Sequence, residues 1–247
     1  MNIMISNDDG ILAPGIAALI RAFAKTGHDI YVCAPDSQRS AASHSLTLGK
    51  ALPVREMQIE GVKQAWAIGG TPVDCVKMGV KVLCPQADFV VSGVNHGYNA
   101  GSDILYSGTV GAAMEGALCG VPAMAVSLAY EREDTYDKAA ALAAVMFEKL
   151  QKHPLAPGTV FNLNYPAADE AKGVVATKMT RINYKETYVK TVGEDGQVSY
   201  ALSGEIDSAQ EMADDDYSWL RKGYATATVL TFDMTAHDAT RAIKSWL

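Results

Sequence analysis

Two adjacent carboxylates, Asp8 and Asp9, lie in the run Ser6-Asn7-Asp8-Asp9-Gly10, directly after a short apolar stretch. Side by side they repel each other unless something positive neutralises them. As turn chemistry alone, Asn-Asp-Asp-Gly needs no ligand, because these residues favour turns anyway. The company the run keeps argues for more. Ala34-Pro35-Asp36-Ser37-Gln38-Arg39-Ser40 leads into Ala41-Ala42-Ser43-His44-Ser45, a hydroxyl-rich stretch with one arginine and one histidine. That suits a phosphate or metal pocket, although a solvated serine-rich loop reads the same way when taken alone. In Gly93-Val94-Asn95-His96-Gly97-Tyr98-Asn99-Ala100-Gly101, three glycines and two asparagines let the backbone turn tightly and approach a ligand. Ser107-Gly108-Thr109 then opens an apolar helix, where free N–H groups and the helix dipole favour phosphate; simple capping is the reading that needs no ligand. Gly69-Gly70-Thr71-Pro72 is a second opening of this kind, with Asp74 and Lys77 in the first two turns of a helix over 73–82.

These runs need a scaffold that gathers them. Asn2 to Ser6, Asp29 to Ala34, Asp88 to Ser92 and Ala123 to Leu128 read as short apolar strands. Between them lie helical patterns: Pro14 at a first helical position with Ile16, Leu19, Ile20 and Phe23 behind it, and Val110, Ala113, Met114, Ala117 and Leu118 further on. Gly27 and Gly120 stop those helices. Strands this apolar, alternating with helices, are buried on both faces. The pattern predicts a three-layer α/β/α sandwich around a mainly parallel, Rossmann-like sheet, within one domain over 1–247. Ligands bind beyond the carboxyl ends of such strands, where the acidic, hydroxyl and glycine-rich runs all fall.

After about Gly173 the texture changes. Thr187 to Val192 and Gln197 to Leu202 alternate with period two around Glu194-Asp195-Gly196, a hairpin signal. A lone two-stranded ribbon is marginal in water, so an arm over 184–204 is expected to pack on another subunit; folding back on its own domain is the alternative. Asp214-Asp215-Asp216 is read as the cap of a short helix ending near Gly223, before a last strand from Tyr224 to Phe232 and a terminal helix.

Composition narrows the function. The formal net charge is −7, with no dense cluster of Lys or Arg, which argues against a duplex nucleic-acid binder. No apolar run reaches the roughly 20 residues of a membrane span, and Met1-Asn2-Ile3-Met4-Ile5 reads as a strand, not a leader, so a cytoplasmic location is expected. Cys33, Cys75, Cys84 and Cys119 are far apart and read as small apolar side chains. The gathered ligands are hard oxygen donors, suited to Mg²⁺, Mn²⁺ or Ca²⁺ and poorly suited to zinc. Neither a G-x-G-x-x-G after the first strand nor a Walker sequence is present.

The blocks NDDG, APDSQRSAASHSLT, GGTPVDCVKMG, VSGVNHGYNAG and YSGTVGAAMEG occur in that order over about residues 3 to 128. Together they resemble the SurE family of 5′/3′-nucleotidases, with weaker likeness through FNLNYP at Phe161–Pro166 and GYATATVLTFD at Gly223–Asp233. The resemblance implies one divalent cation per subunit, held by Asp8, Asp9, Ser40 and Asn95. It also implies hydrolysis of nucleoside 5′- and 3′-monophosphates, some trimming of short polyphosphate, and a homodimer or homotetramer built through an exchanged C-terminal arm. Position 96 is His where many relatives carry Arg, a departure at one phosphate contact. On this reading a metal-polarised water attacks phosphorus, with Asp9 as its base and Asp8 mainly a ligand, or the reverse. Asn99, Ser107, Gly108 and Thr109 cradle phosphate, Ser43 and His96 add substrate contacts, and His44 protonates the leaving oxygen; for His44 a plain hydrogen-bonding role in the loop is the alternative. The rivals are an aspartyl-phosphate enzyme of haloacid-dehalogenase type, which wants two aspartates one residue apart, and a non-catalytic nucleotide or metal sensor using the same pocket.

Overall fold

The computed structural model describes residues 1–181, 184–193, 195–206, 214–244 and 246. The chain opens with β1 (Asn2–Ser6), α1 (Pro14–Ala24) and β2 (Asp29–Pro35). Next come β3 (Val54–Met57), β4 (Gln64–Ile68), α2 (Pro72–Met78) and β5 (Phe89–His96). A 3-10 turn over Gly101–Tyr106 leads to α3 (Gly108–Leu118), β6 (Ala123–Leu128), α4 (Tyr136–Lys152) and β7 (Thr159–Tyr165). The remainder is β8 (Val174–Ala176), β9 (Tyr184–Val192), β10 (Val198–Ile206), α5 (Asp216–Arg221), β11 (Ala225–Thr231) and α6 (His237–Ile243).

Nine strands form one sheet in the order β3-β4-β2-β1-β5-β6-β7-β11-β8. From β4 to β7 all neighbours are parallel; β3 runs antiparallel to β4, and β11 antiparallel to β7. Period-two alternation gives each face its own core. Ile3 and Ile5 of β1 join Ile16, Leu19 and Phe23 of α1 and Phe147 of α4 on one side. Met4 joins Val76 of α2 and Val110 and Ala113 of α3 on the other, together with Cys33, Cys75 and Cys84. The three-layer sandwich expected from the apolar strands is therefore present. All four thiols are unpaired. No helix among the described residues is long and apolar enough to cross a membrane.

Three elements differ from the sequence reading by more than a residue at a boundary. The strand expected to stop at Ser92 runs on to His96, with its pairing to β6 shifting between Ser92 and Asn95. Gly93 permits this: a side chain there would stand 2.2 Å from the Val126 carbonyl oxygen. The bulge re-aims Asn95 and His96 at the end of the sheet. The helix expected over 73–82 is α-helical only to Met78 and then widens into a single π turn over Gly79–Leu83. The hairpin is longer than its alternating core, pairing Tyr184 with Ile206 through to Val192 with Val198. It forms a two-stranded sheet of its own. Of its expected turn, Glu194 lies outside the described residues, while Gly193 and Gly196 are held by bonds across the turn.

Candidate active site at the carboxyl ends of the sheet

β2, β1 and β5 are neighbours, so the loops leaving their carboxyl ends meet. The β1 loop is shaped by Asn7, whose side chain donates to the Gly10 carbonyl (2.8 Å) and accepts from the Gly10 N–H (3.2 Å). The loop after β2 is tied to it: Arg39 N–H donates to the Asp8 carbonyl at 2.7 Å and Ile11 N–H to the Pro35 carbonyl at 2.8 Å. These bonds bring Ser40 to the acidic pair. A cleft of about 370 Å³ results, with Asp8, Asp9, Ser40 and Asn95 on its wall together with His96, Asn99 and Ser107. A cavity of similar size, about 380 Å³, opens at the opposite pole near Met1, Phe89, Val121 and Leu155 and contains none of these residues. The candidate residues sit where parallel sheets place ligand sites.

Asp8 is buried and abuts the start of α3. Thr109, itself without exposure, donates its hydroxyl to Asp8 Oδ1. A side chain at Gly108 would come within 2.9 Å of the Asp8 Cβ and Oδ2, so only glycine lets the carboxylate this close. Burial pushes the Asp8 carboxyl up to about 6; the Thr109 bond works against that rise and the Asp9 charge adds to it. Asp9 is also raised by burial, opposed by the backbone N–H and the ring of His96. Among the described residues no lysine or arginine pairs with either carboxylate; Arg39 reaches Asp36 instead. Asn95 donates its amide nitrogen to the Gly97 carbonyl at 2.9 Å, which leaves its side-chain oxygen with acceptor capacity.

A sequence profile described as Survival protein SurE matches residues 3–186. The chain belongs to the SurE family. It is 43% identical over 253 aligned residues to a protein of Synechococcus sp. (strain JA-3-3Ab) described as 5′-nucleotidase SurE, covering 100% of this chain and 97% of that one. A protein of the same description from Caldanaerobacter subterraneus subsp. tengcongensis is 37% identical, covering 99% and 97%. The crystal structure of the SurE protein from Aquifex aeolicus superposes with a TM-score of 0.85 at 32% identity, covering 100% of this chain and 99% of that one.

Within this SurE-family chain the expected residues do not all face the cleft. Ser43 and His44 are absent from its wall. Ser43 donates to the Leu105 carbonyl (2.7 Å), tying its loop to the 3-10 turn. His44 donates from Nε2 to Glu115 Oε2 at 2.8 Å, and Lys77 bonds the other oxygen of the same buried carboxylate. Burial would raise Glu115, but these two partners hold it below its usual value. Thr109 turns its hydroxyl to Asp8 and not into open space. Three residues that the sequence reading did not single out hold Asn99: Asn164 and Asn162 bind its backbone, and Ser127 accepts from its side chain at 2.8 Å. Their signal was the N-x-N of FNLNYP, two amides at strand spacing in an apolar run, which place both side chains on one face of β7.

Proposed function

We propose that this chain is a divalent-metal-dependent phosphomonoesterase that hydrolyses nucleoside 5′-monophosphates, and 3′-monophosphates as well, to nucleoside and inorganic phosphate. The observation that carries the reading is the Asp8–Asp9 pair at the start of α3, Asp8 buried and Asp9 partly buried, with no lysine or arginine paired to either among the described residues. A buried carboxylate beside a second, partly buried one, with no lysine or arginine to neutralise them, is costly. A bound cation would remove that cost and recruit a phosphate dianion in a chain of net charge −7. The names of the relatives, 5′-nucleotidase SurE, point the same way.

The donor set fits Mg²⁺, Mn²⁺ or Ca²⁺: carboxylates of Asp8 and Asp9, the Ser40 hydroxyl and the Asn95 amide oxygen, all hard oxygen ligands. When bound, the cation supplies Lewis-acid polarisation of a phosphoryl oxygen and of water. Asp9 is the more open carboxylate and is assigned to accept the proton of the attacking water, while Asp8, fixed by Thr109, serves as a ligand. Asn99, clamped by β7, and Ser107 with the backbone of Gly108 bind phosphate oxygens beside the helix start. Thr109 positions Asp8. We assign no acid role to His44, whose ring nitrogen is engaged by Glu115 away from the cleft wall. The alternating hairpin presents Tyr188, Val192, Val198, Tyr200 and Leu202 to solvent, which supports a homodimer or homotetramer formed through this arm.

The test is phosphate release from AMP by the full chain, with and without Mn²⁺ or Mg²⁺. Turnover that requires the metal is expected. Tight binding of AMP without release under every metal condition overturns the reading in favour of a sensor.

A further inference from the structure

An exposed aromatic ring at the cleft mouth is held as if waiting for a second ring. Tyr130 follows β6 at the carboxyl end of the sheet, and 68% of its surface is open to solvent. One face of its ring is covered by His96, with centroids 4.3 Å apart and planes 15° from parallel. His96 is fixed in turn: its Nε2 lies 2.6 Å from the backbone carbonyl of Tyr130, so that nitrogen must carry hydrogen and donate. Glu133 Oε1 stands 3.6 Å from the same nitrogen. Both rings line the cleft that holds Asp9 and Asn95, and Tyr106, 67% exposed, lines it too.

Leaving large rings in water forfeits their burial, so two at one polar cleft call for an explanation. The Tyr130–His96 stack is formed before any ligand arrives, with the His96 ring held by its bond to the Tyr130 carbonyl. Binding on the free face would lose little conformational entropy. We propose that the free face of Tyr130, backed by His96, is the platform on which the substrate's nucleobase stacks while its phosphate sits at Asp8, Asp9 and the α3 start. The proposal rests on the phosphomonoesterase reading above and adds to it the source of nucleotide selectivity. A stacking platform recognises any base by its π-face and favours the larger purines. It also gives His96 a role in supporting an aromatic ring, in place of the phosphate contact expected at that position.

The test compares AMP with ribose 5-phosphate, which carries the same 5′-phosphate without a base. In the wild-type chain AMP is expected to bind more tightly, with both the KM ratio and the calorimetric Kd ratio near tenfold. Tyr130→Ala is expected to collapse that ratio toward one, and Tyr130→Phe to preserve it, since the ring and not the hydroxyl makes the stack. An unchanged ratio in Tyr130→Ala, or equal damage from Phe and Ala, overturns the platform. Calorimetric constants report the stack whether or not either ester is cleaved. Absence of cleavage with Mn²⁺ or Mg²⁺ therefore sinks the phosphatase reading alone.

Discussion

The starts of α2 and α3 are built from nearly the same parts and do opposite things. Each opens on a hydroxyl beside a glycine, Thr71 after Gly70 and Ser107 before Gly108, and each hydroxyl caps its own helix. In each, a side chain on the glycine would stand 2.9 Å from a carboxylate, Asp74 at Gly70 and Asp8 at Gly108. Asp74 belongs to its own helix and is saturated: Thr71 N–H, Thr47 N–H and the Thr47 hydroxyl all donate to it at 2.7 to 2.9 Å. Those bonds overcome its burial and hold it below the usual carboxylate range. Asp8 arrives from another loop, keeps an adjacent carboxylate for company and is pushed up. A helix start filled by its own acid is a finished joint. One that borrows an acid and leaves it short of donors keeps unmet the demand that the proposed cation and phosphate would fill.

The comparison breaks first at Asp8. Asp8→Asn is expected to cut metal-dependent phosphate release from AMP by about 10²- to 10³-fold or more. In chelator-treated protein the same change is expected to raise stability by up to about 3 kcal/mol, read by denaturant unfolding. Loss of activity together with loss of metal-free stability would contradict the strained-carboxylate account. Next, Gly108→Ala should displace Asp8 and cost about 10²-fold in kcat/KM. The matched Gly70→Ala should retain kcat and lose about 1–3 kcal/mol of stability. Equal kinetic damage from both glycines would erase the distinction between the two helix starts.

The two acids should also titrate with opposite sign. Asp8 has a folded value of about 6 against an ordinary 3.8, so in metal-free protein its charge costs stability progressively as pH rises across that interval and fully above it. Asp74 has a depressed value, so its contribution is present above the ordinary value and is lost as pH falls through the folded one. Unfolding of Asp8→Asn and Asp74→Asn beside wild type from about pH 2 to 7.5 should show the Asp8 difference changing between about 3.8 and 6 and the Asp74 difference changing below 3.8, with opposite sign; the same sign for both would refute the assignment. The smallest effect belongs to Thr71→Ala, a lost cap costing about 1 kcal/mol with kcat retained in the phosphate-release assay.

How much of this could be read in the residues depends on the range of the interaction that decides it. β1 and β6 have the ends that their apolar runs suggest, and Pro14 begins α1 as its fixed φ favours. The meeting of the β1, β2 and β5 loops followed from the rule about parallel strand ends. β5 ran past its expected end because the bulge depends on close contact with Val126, a neighbour invisible in local sequence. The grip of β7 on Asn99 and of Glu115 on His44 were missed for the same reason: the partners are 63 to 71 residues apart. The sequence around His44 contains no carboxylate that could announce its partner. The buried Glu115 that engages it comes from the middle of α3.

The clamp on Asn99 also sets an order of completion along a chain made from its amino end. Asp8, Asp9, Ser40, Asn95 and the start of α3 have all left the ribosome well before Asn162 and Asn164 exist. A nascent chain that had folded through β6 would hold the acidic corner with Asn99 still without its β7 partners. The part of the cleft wall that carries Asn99 is then completed only when the seventh strand docks on β6.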